Sequence, residues 1–204
     1  MLGRERTGTS ADLLAVGLGN PGAEYAGTRH NIGVEVVELL AGRHGGRLKL
    51  SKERALTAEL RVGDGRLVVA VPTTYMNLSG EAVRPLVRRH GIEDLARLVV
   101  VVHDELDLPV GQIKLKLGGG TAGHNGLKSV QAHLGSPDFA RIRIGVGKPP
   151  GREAGADYVL RRPGKAERQL LDVDVELAAD AVEAMMVEGL ERVMNRLNTA
   201  ATSQ

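Results

Sequence analysis

The sequence predicts an α/β fold: a single three-layer domain with a mixed, mostly parallel central sheet flanked by helices. Three observations carry this. Short aliphatic runs suited to strands alternate along the chain with stretches of helical periodicity. Leu98–Val102 supplies five consecutive aliphatic residues, which cannot keep one face wet and so belong in a strand buried on both faces. The 204 residues, 42% of them hydrophobic, can bury one substantial core, and neither a repeat nor a second domain is visible.

Taken in order, residues 1–11 are polar and read as a disordered N-terminal extension without a signal-peptide hydrophobic region. Leu13–Gly17 is a short apolar strand, followed by the loop Gly17-Leu-Gly-Asn-Pro-Gly-Ala-Glu-Tyr25. Asn31–Arg43 places Val34, Val37 and Leu40 at helical spacing before the Gly45-Gly46 stop. Ala55–Val62 and Arg66–Val71 flank Gly63-Asp64-Gly65, a hairpin signal, and Pro72 then delivers Thr73–Asn77 to a loop. Ser79 is a candidate N-cap for a helix to about His90, in which Pro85 implies a kink or an early end.

After the central strand, the segment His103–Asp107 is expected just beyond a strand's carboxyl end, where open α/β sheets place their ligands. Gln112–Leu117 alternates, with Ile113, Leu115 and Leu117 inward and Lys114 and Lys116 outward. A glycine-rich loop leads to a helix from about Leu127 to Leu134. Arg141–Val146 alternates again, with Ile142 and Ile144 on one face and Arg141 and Arg143 on the other. Lys148–Gly164 is loop-rich, and residues 166–195 are helical with a break near Gly189. The folded domain is expected over 12–198, with 199–204 as a tail.

Composition excludes several chemistries. The absence of cysteine rules out disulfides and thiolate catalysis and fits a reducing, cytoplasmic setting. No apolar run approaches the roughly 20 residues that span a bilayer, so no membrane partner is expected. Net charge is only +2, yet residues 112–165 carry ten Lys/Arg against three Asp/Glu, while 166–204 carry three against eight. A basic middle beside an acidic end points to an anionic partner, nucleic acid first, against the plainer alternative of solvated faces of opposite sign.

Gly17-Leu-Gly-Asn-Pro-Gly22 matches the letters of a dinucleotide fingerprint but lacks its context. Pro21 delays the helix, and the nearby acids Glu35 and Glu38 lie on that helix rather than on a second strand. Only six asparagines occur, and Asn20, Asn77 and Asn125 all fall in turn-like loops. Their uncharged amides suit peptide groups or a developing oxyanion, although a turn alone explains any one of them. His44, His90 and His133 fall at helix ends and read as surface residues, whereas His30, His103 and His124 lie in the candidate loops. On residues alone the general-base role divides between His30 and His124, with Asp104 able to serve either and His103 expected on the opposite side. His103, Asp104, Glu105, Asp107 and His124 lack zinc-site spacing, and no G-x-S-x-G nucleophile elbow occurs. Lys114, Lys116 and Arg143 form an outward basic patch suited to phosphates.

Together, Gly17–Tyr25, Thr28-Arg-His-Asn-Ile-Gly33, Pro72-Thr-Thr-Tyr-Met-Asn-Leu-Ser-Gly80, His103-Asp-Glu-Leu-Asp107 and Gly123-His-Asn-Gly-Leu-Lys128 resemble the bacterial peptidyl-tRNA hydrolase family over about residues 12–198. Thr121-Ala122 and Pro85 depart from the usual pattern without touching a matched catalytic position. The resemblance implies hydrolysis of the ester joining peptide to tRNA in peptidyl-tRNA released from stalled or aborted translation. It further implies a monomer that needs no metal or other cofactor. His30 would be the general base, Asp104 its orienting carboxylate, and Asn20 the residue that separates peptidyl- from aminoacyl-tRNA. Tyr25, Tyr75, Asn77 and Asn125 match substrate-binding positions with Met76 beside them. Lys116 and Arg143 match tRNA phosphate contacts, with Lys114 on the same face. The rival expectation is a non-catalytic RNA-binding module.

Overall fold

The computed structural model describes residues 10–149, 151 and 154–200. Most of the extension expected over 1–11 therefore lies outside the described residues, as does the tail from 201. Ala11, at the inner end of that extension, is buried, and its N–H donates to the His90 carbonyl.

Seven strands form one sheet in the order β2-β3-β4-β1-β5-β7-β6. Strands β1 (Leu13–Gly17), β4 (Gly65–Pro72), β5 (Val99–Glu105) and β7 (Ala140–Gly145) are mutually parallel. The antiparallel neighbours are β3 (Ala55–Val62), β2 (Lys49–Leu50) and β6 (Ile113–Leu117). On one face α1 (Ile32–Arg43) and α6 (Lys165–Glu188) pack with α7 (Leu190–Ala200). On the other, α2 (Gly80–Arg89) and α4 (Asn125–Leu134) pack together. This is the expected three-layer architecture. The core divides by strand parity: Val100 and Val102 join the α1/α6 layer, and Val99 and Val101 join the α2/α4 layer. All four are fully buried, which stabilises the fold by about 1.5–3 kcal/mol apiece.

From β1 the chain crosses to the far edge at β2, returns through β3 to set β4 beside β1, and then places β5 on the other side of β1. Crevices of open α/β sheets lie at such a reversal, here beyond the carboxyl ends of β1 and β5. A Cβ on Gly17 would stand 2.0 Å from the Gly33 carbonyl oxygen, and one on Gly33 would stand 2.3 Å from that of Val102. These two glycines let the start of α1 press directly on the strand ends, carrying the preceding turn to the crevice.

Several expectations need correction. The central strand begins at Val99, because Asp94 caps a short helix α3 (Leu95–Leu98) that takes Leu98. It ends at Glu105, so His103, Asp104 and Glu105 are buried strand residues rather than a loop beyond it. Ser79 occupies the N-cap position of α2 as expected, but with helical backbone and no side-chain capping bond; its hydroxyl donates to the Met76 carbonyl. Helix α2 runs through Pro85. Leu117, expected inward, is exposed near the end of the edge strand, and His90, expected at the surface, is buried. The loop-rich 148–164 contains a further short helix, α5 (Gly155–Val159).

Asp174 on α6 is buried and accepts the Gly111 N–H at 2.9 Å. Burial pushes its carboxyl up to about 6. Between the ordinary carboxylate range and that value the unfolded chain gives up the proton first, so this group costs stability as pH rises and stays unfavourable above pH 6. Asp174→Asn keeps an acceptor for Gly111 without the charge. Thermal melts should show it more stable by about 1–2 kcal/mol at pH 7, a few degrees in Tm, with no gain at pH 4.

Candidate active site

A cleft of about 440 Å³ opens at the reversal point, lined by Asn20, His30, Tyr75, Met76, Asn77, Asp104, His124 and Asn125, with Leu106 and the α5 residues Gly155, Ala156 and Val159 opposite. Of the cleft residues expected from sequence, seven meet here. Tyr25 is not among the lining residues; it sits half-buried on the adjacent turn, its carbonyl accepting from Thr28.

His30 lies in the single 3-10 turn Arg29–Asn31 that precedes α1. Asp104 shares parity with Val100 and Val102 and so faces that turn. The His30 Nδ1 stands 2.8 Å from Asp104 Oδ1. Burial alone would raise the Asp104 carboxyl, but ring N–H donors from His124 and His30 outweigh it and hold the group well below the usual carboxylate range. An ionised Asp104 can only accept, so Nδ1 of His30 carries the proton and Nε2, on the far side of the ring, keeps its lone pair.

His124 is the N-cap of α4, and its Nδ1 accepts the Leu127 N–H at 3.3 Å. Its proton therefore sits on Nε2, 3.1 Å from the same Asp104 Oδ1. With both nitrogens engaged His124 has no lone pair to offer water, whereas His30 keeps one on Nε2. His103 points to the α4 side, its ring edge-on to that of His124 with centroids 4.9 Å apart. Its Nδ1 donates to the Asp104 main-chain oxygen at 2.7 Å, and burial pushes the imidazole down to about 3. The facing atoms of His30, Asp104 and His124 lie within 4.8 Å of one another, close enough to admit a cation. Each is already committed to a hydrogen bond, so the set is a hydrogen-bonded triad.

Asn20 is held on three sides. Its N–H donates to Asn31 Oδ1 at 2.9 Å, its carbonyl accepts from Asn31 Nδ2 at 2.9 Å, and its Oδ1 accepts the Met76 N–H at 2.8 Å. Its amide NH2 makes none of these bonds and is left to donate to a ligand.

The family model of peptidyl-tRNA hydrolase matches residues 14–204 of this chain. The chain belongs to the peptidyl-tRNA hydrolase family. It is 52% identical over 183 residues to the peptidyl-tRNA hydrolase of Frankia alni, covering 90% of this chain and 92% of that one. It is 49% identical over 192 residues to that of Pseudarthrobacter chlorophenolicus, with 93% and 97% covered. The crystal structure of Acinetobacter baumannii peptidyl-tRNA hydrolase superposes with a TM-score of 0.85 at 38% identity, covering 94% of this chain and 97% of that one.

In this member of the peptidyl-tRNA hydrolase family the expected basic patch is more structured than alternation suggests. Across the sheet His103 is in register with Arg143 and Arg143 with Lys114; Val101 is in register with Arg141 and Arg141 with Lys116. A second cavity of about 200 Å³ on this face is lined by His103, Glu105, Lys116, Arg141 and Arg143 among others. Lys116 is exposed and Lys114 half-buried beside it. Arg143 is paired with Glu105 through Nε at 3.0 Å and Nη2 at 2.9 Å. Arg141 is buried and donates to the Gly120 and Pro137 carbonyls.

Sequence inspection missed three supporting residues. Asn31, inside the matched Thr28–Gly33 motif, fixes Asn20. Glu105 holds Arg143. Arg29, next to the base, is buried and gives Glu167 a two-pronged ion pair at 2.6 Å while stacking on Tyr158 at 4.0 Å. All three lie inside matched motifs, Thr28–Gly33 and His103–Asp107, but nothing in those short runs names their partners.

Proposed function

We propose that this chain hydrolyses the ester between peptide and tRNA in peptidyl-tRNA left by stalled or aborted translation, with His30 as the general base. The observation that carries the assignment is the His30–Asp104 contact, which leaves Nε2 with a lone pair at the cleft. A water there gives its proton to Nε2 as its oxygen attacks the ester carbonyl. Collapse of the tetrahedral intermediate expels the ribose oxygen, which takes that proton back. An ester leaving group is good enough that one positioned water suffices without a covalent intermediate, and no step calls for a metal or other cofactor.

Asn20, whose NH2 is left to donate, favours the amide carbonyl of a peptidyl group over the ammonium of a free aminoacyl group, which is itself only a donor. Tyr75, Met76, Asn77 and Asn125 line the cleft for the peptide and the ribose end, with Tyr25 on the neighbouring turn. Lys116 and Arg143, with Lys114, take tRNA phosphates. A cytoplasmic monomer belongs to the same proposal; no described helix is long and apolar enough to cross a membrane.

Incubation with N-acetyl-aminoacyl-tRNA in excess chelator tests the whole scheme. Release of the acyl group is expected, and binding without release would instead support the RNA-binding module. In the same assay Lys116→Ala with Arg143→Ala should raise KM about tenfold or more while kcat changes little, and should flatten the salt dependence of binding. An equal loss in kcat at unchanged KM would remove the patch from tRNA recognition.

A further inference from the structure

His30 and His124 both address one oxygen, Oδ1 of Asp104, at 2.8 and 3.1 Å. The two contacts are not equivalent. The proton between His30 and Asp104 belongs to a ring whose other nitrogen keeps its lone pair for the cleft. The one between His124 and Asp104 belongs to a ring whose other nitrogen is occupied by the Leu127 N–H. Adding a second proton to His124 would set Nδ1–H against that N–H, donor against donor, at the first turn of α4. The main chain thus fixes the tautomer of this ring.

Resting on the assignment of His30 as base, we infer that His124 is a positioning residue that sets the basicity of His30. It acts as a permanent neutral donor drawing on the same Asp104 oxygen. A carboxylate lone pair given to His124 is less available to stabilise the His30 imidazolium. The base therefore stays unprotonated at lower pH than an undivided Asp–His pair would allow. The same bond pins the Asp104 oxygen, so the His30 ring meets an acceptor of fixed direction.

The surrounding charges leave this role to His124. On β5 His103 is buried and neutral, and Glu105 is tied to Arg143 of β7. Arg141 of β7 is fixed by the Gly120 and Pro137 carbonyls, Lys116 lines the separate cavity on β6, and the asparagines of the cleft carry no charge. None of these groups faces the shared oxygen, whereas both imidazoles do.

His124→Asn separates the two jobs of this side chain. Asparagine is a good N-cap and can still accept the Leu127 N–H, but it is too short to reach Asp104. The acid-limb midpoint of kcat/KM should move up by about half a unit to one unit, with Tm near that of the parent protein. Activity on the acid side of the profile then falls about three- to tenfold and recovers on the alkaline side. His124→Gln, long enough to donate to Asp104, should return the midpoint towards its original value. A folded His124→Asn protein with an unmoved midpoint would overturn the inference while leaving His30 as base; an active His30→Ala protein would overturn the base assignment itself. Should His124→Asn not fold, nitrogen-detected NMR of the unaltered protein decides the matter. His124 is expected as the Nε2–H tautomer from pH 5 to 9, and a second proton or the Nδ1–H tautomer would refute its role.

Discussion

His30→Ala is expected to lower kcat about 10³-fold, with KM within a factor of about two or three of its original value. The size follows from what is lost: a general base contributes roughly 10²–10⁴, and no other group in the cleft can replace it. His124 is the nearest alternative, with ring centroids 5.1 Å apart, but its nitrogens are committed to Asp104 and Leu127. Asp104 is held well below the usual carboxylate range, too weak a base to act for itself at neutral pH. The fold should survive, because His30 occupies a short turn whose place is fixed by its neighbours. Arg29 is anchored to Glu167 and to the Tyr158 and Arg161 carbonyls, and Asn31 is paired with Asn20. Single-turnover release from N-acetyl-aminoacyl-tRNA measures the effect. Retention of more than a tenth of the parent rate would mean that another group activates the water.

The parts of this site legible in the sequence are those that travel in contiguous runs. The strand–loop–helix order, the hairpin at Gly63-Asp64 and the parity that separates His103 from Asp104 all follow from local pattern. The motifs place Asn20, His30, Asn77, Asp104 and Asn125 in one family before any fold is known. What could not be read is partnership across the chain. His30 and Asp104 lie 74 positions apart, and Arg29 and Glu167 lie 138 apart; which acid serves which cation depends on register and packing that no short window contains. The β5–β7 register sets His103 opposite Arg143, and Glu105, two residues on along that face, is the acid that takes it. Alternation alone could only leave Arg143 outward. The least legible element is the Leu127 amide, since a backbone donor has no letter of its own, yet it decides the tautomer of His124. Misplacement of the central strand has a similar origin. Aliphatic character ends at Val102, but pairing with β7 continues for three polar residues whose side chains bond one another and neighbouring loops, with only His103 Nε2 among them left without a partner.

Asp104→Asn removes one charge and almost no volume, and it should cost about 10³–10⁴ in kcat. An asparagine offers one oxygen and one NH2 where the carboxylate offers acceptors alone. His124 cannot adapt, because Leu127 keeps its proton on Nε2, so the amide oxygen must turn towards His124. The NH2 then faces His30 Nδ1, which can answer only by accepting. The proton of His30 is driven to Nε2, where the lone pair is needed. Without the anion the His30 imidazolium also loses its counter-charge, so the residual activity should show a lower acid-limb midpoint, opposite in sign to His124→Asn. Stability should follow the same carboxyl. A group whose folded pKa is depressed contributes stability above its unfolded value and loses it as pH falls through the folded one. Asp104→Asn should thus melt below the parent protein at pH 7, and the gap should narrow only below about pH 4. Paired pH profiles of the two variants check this directly. Midpoints that move in the same direction would show that the two imidazoles do not compete for Asp104.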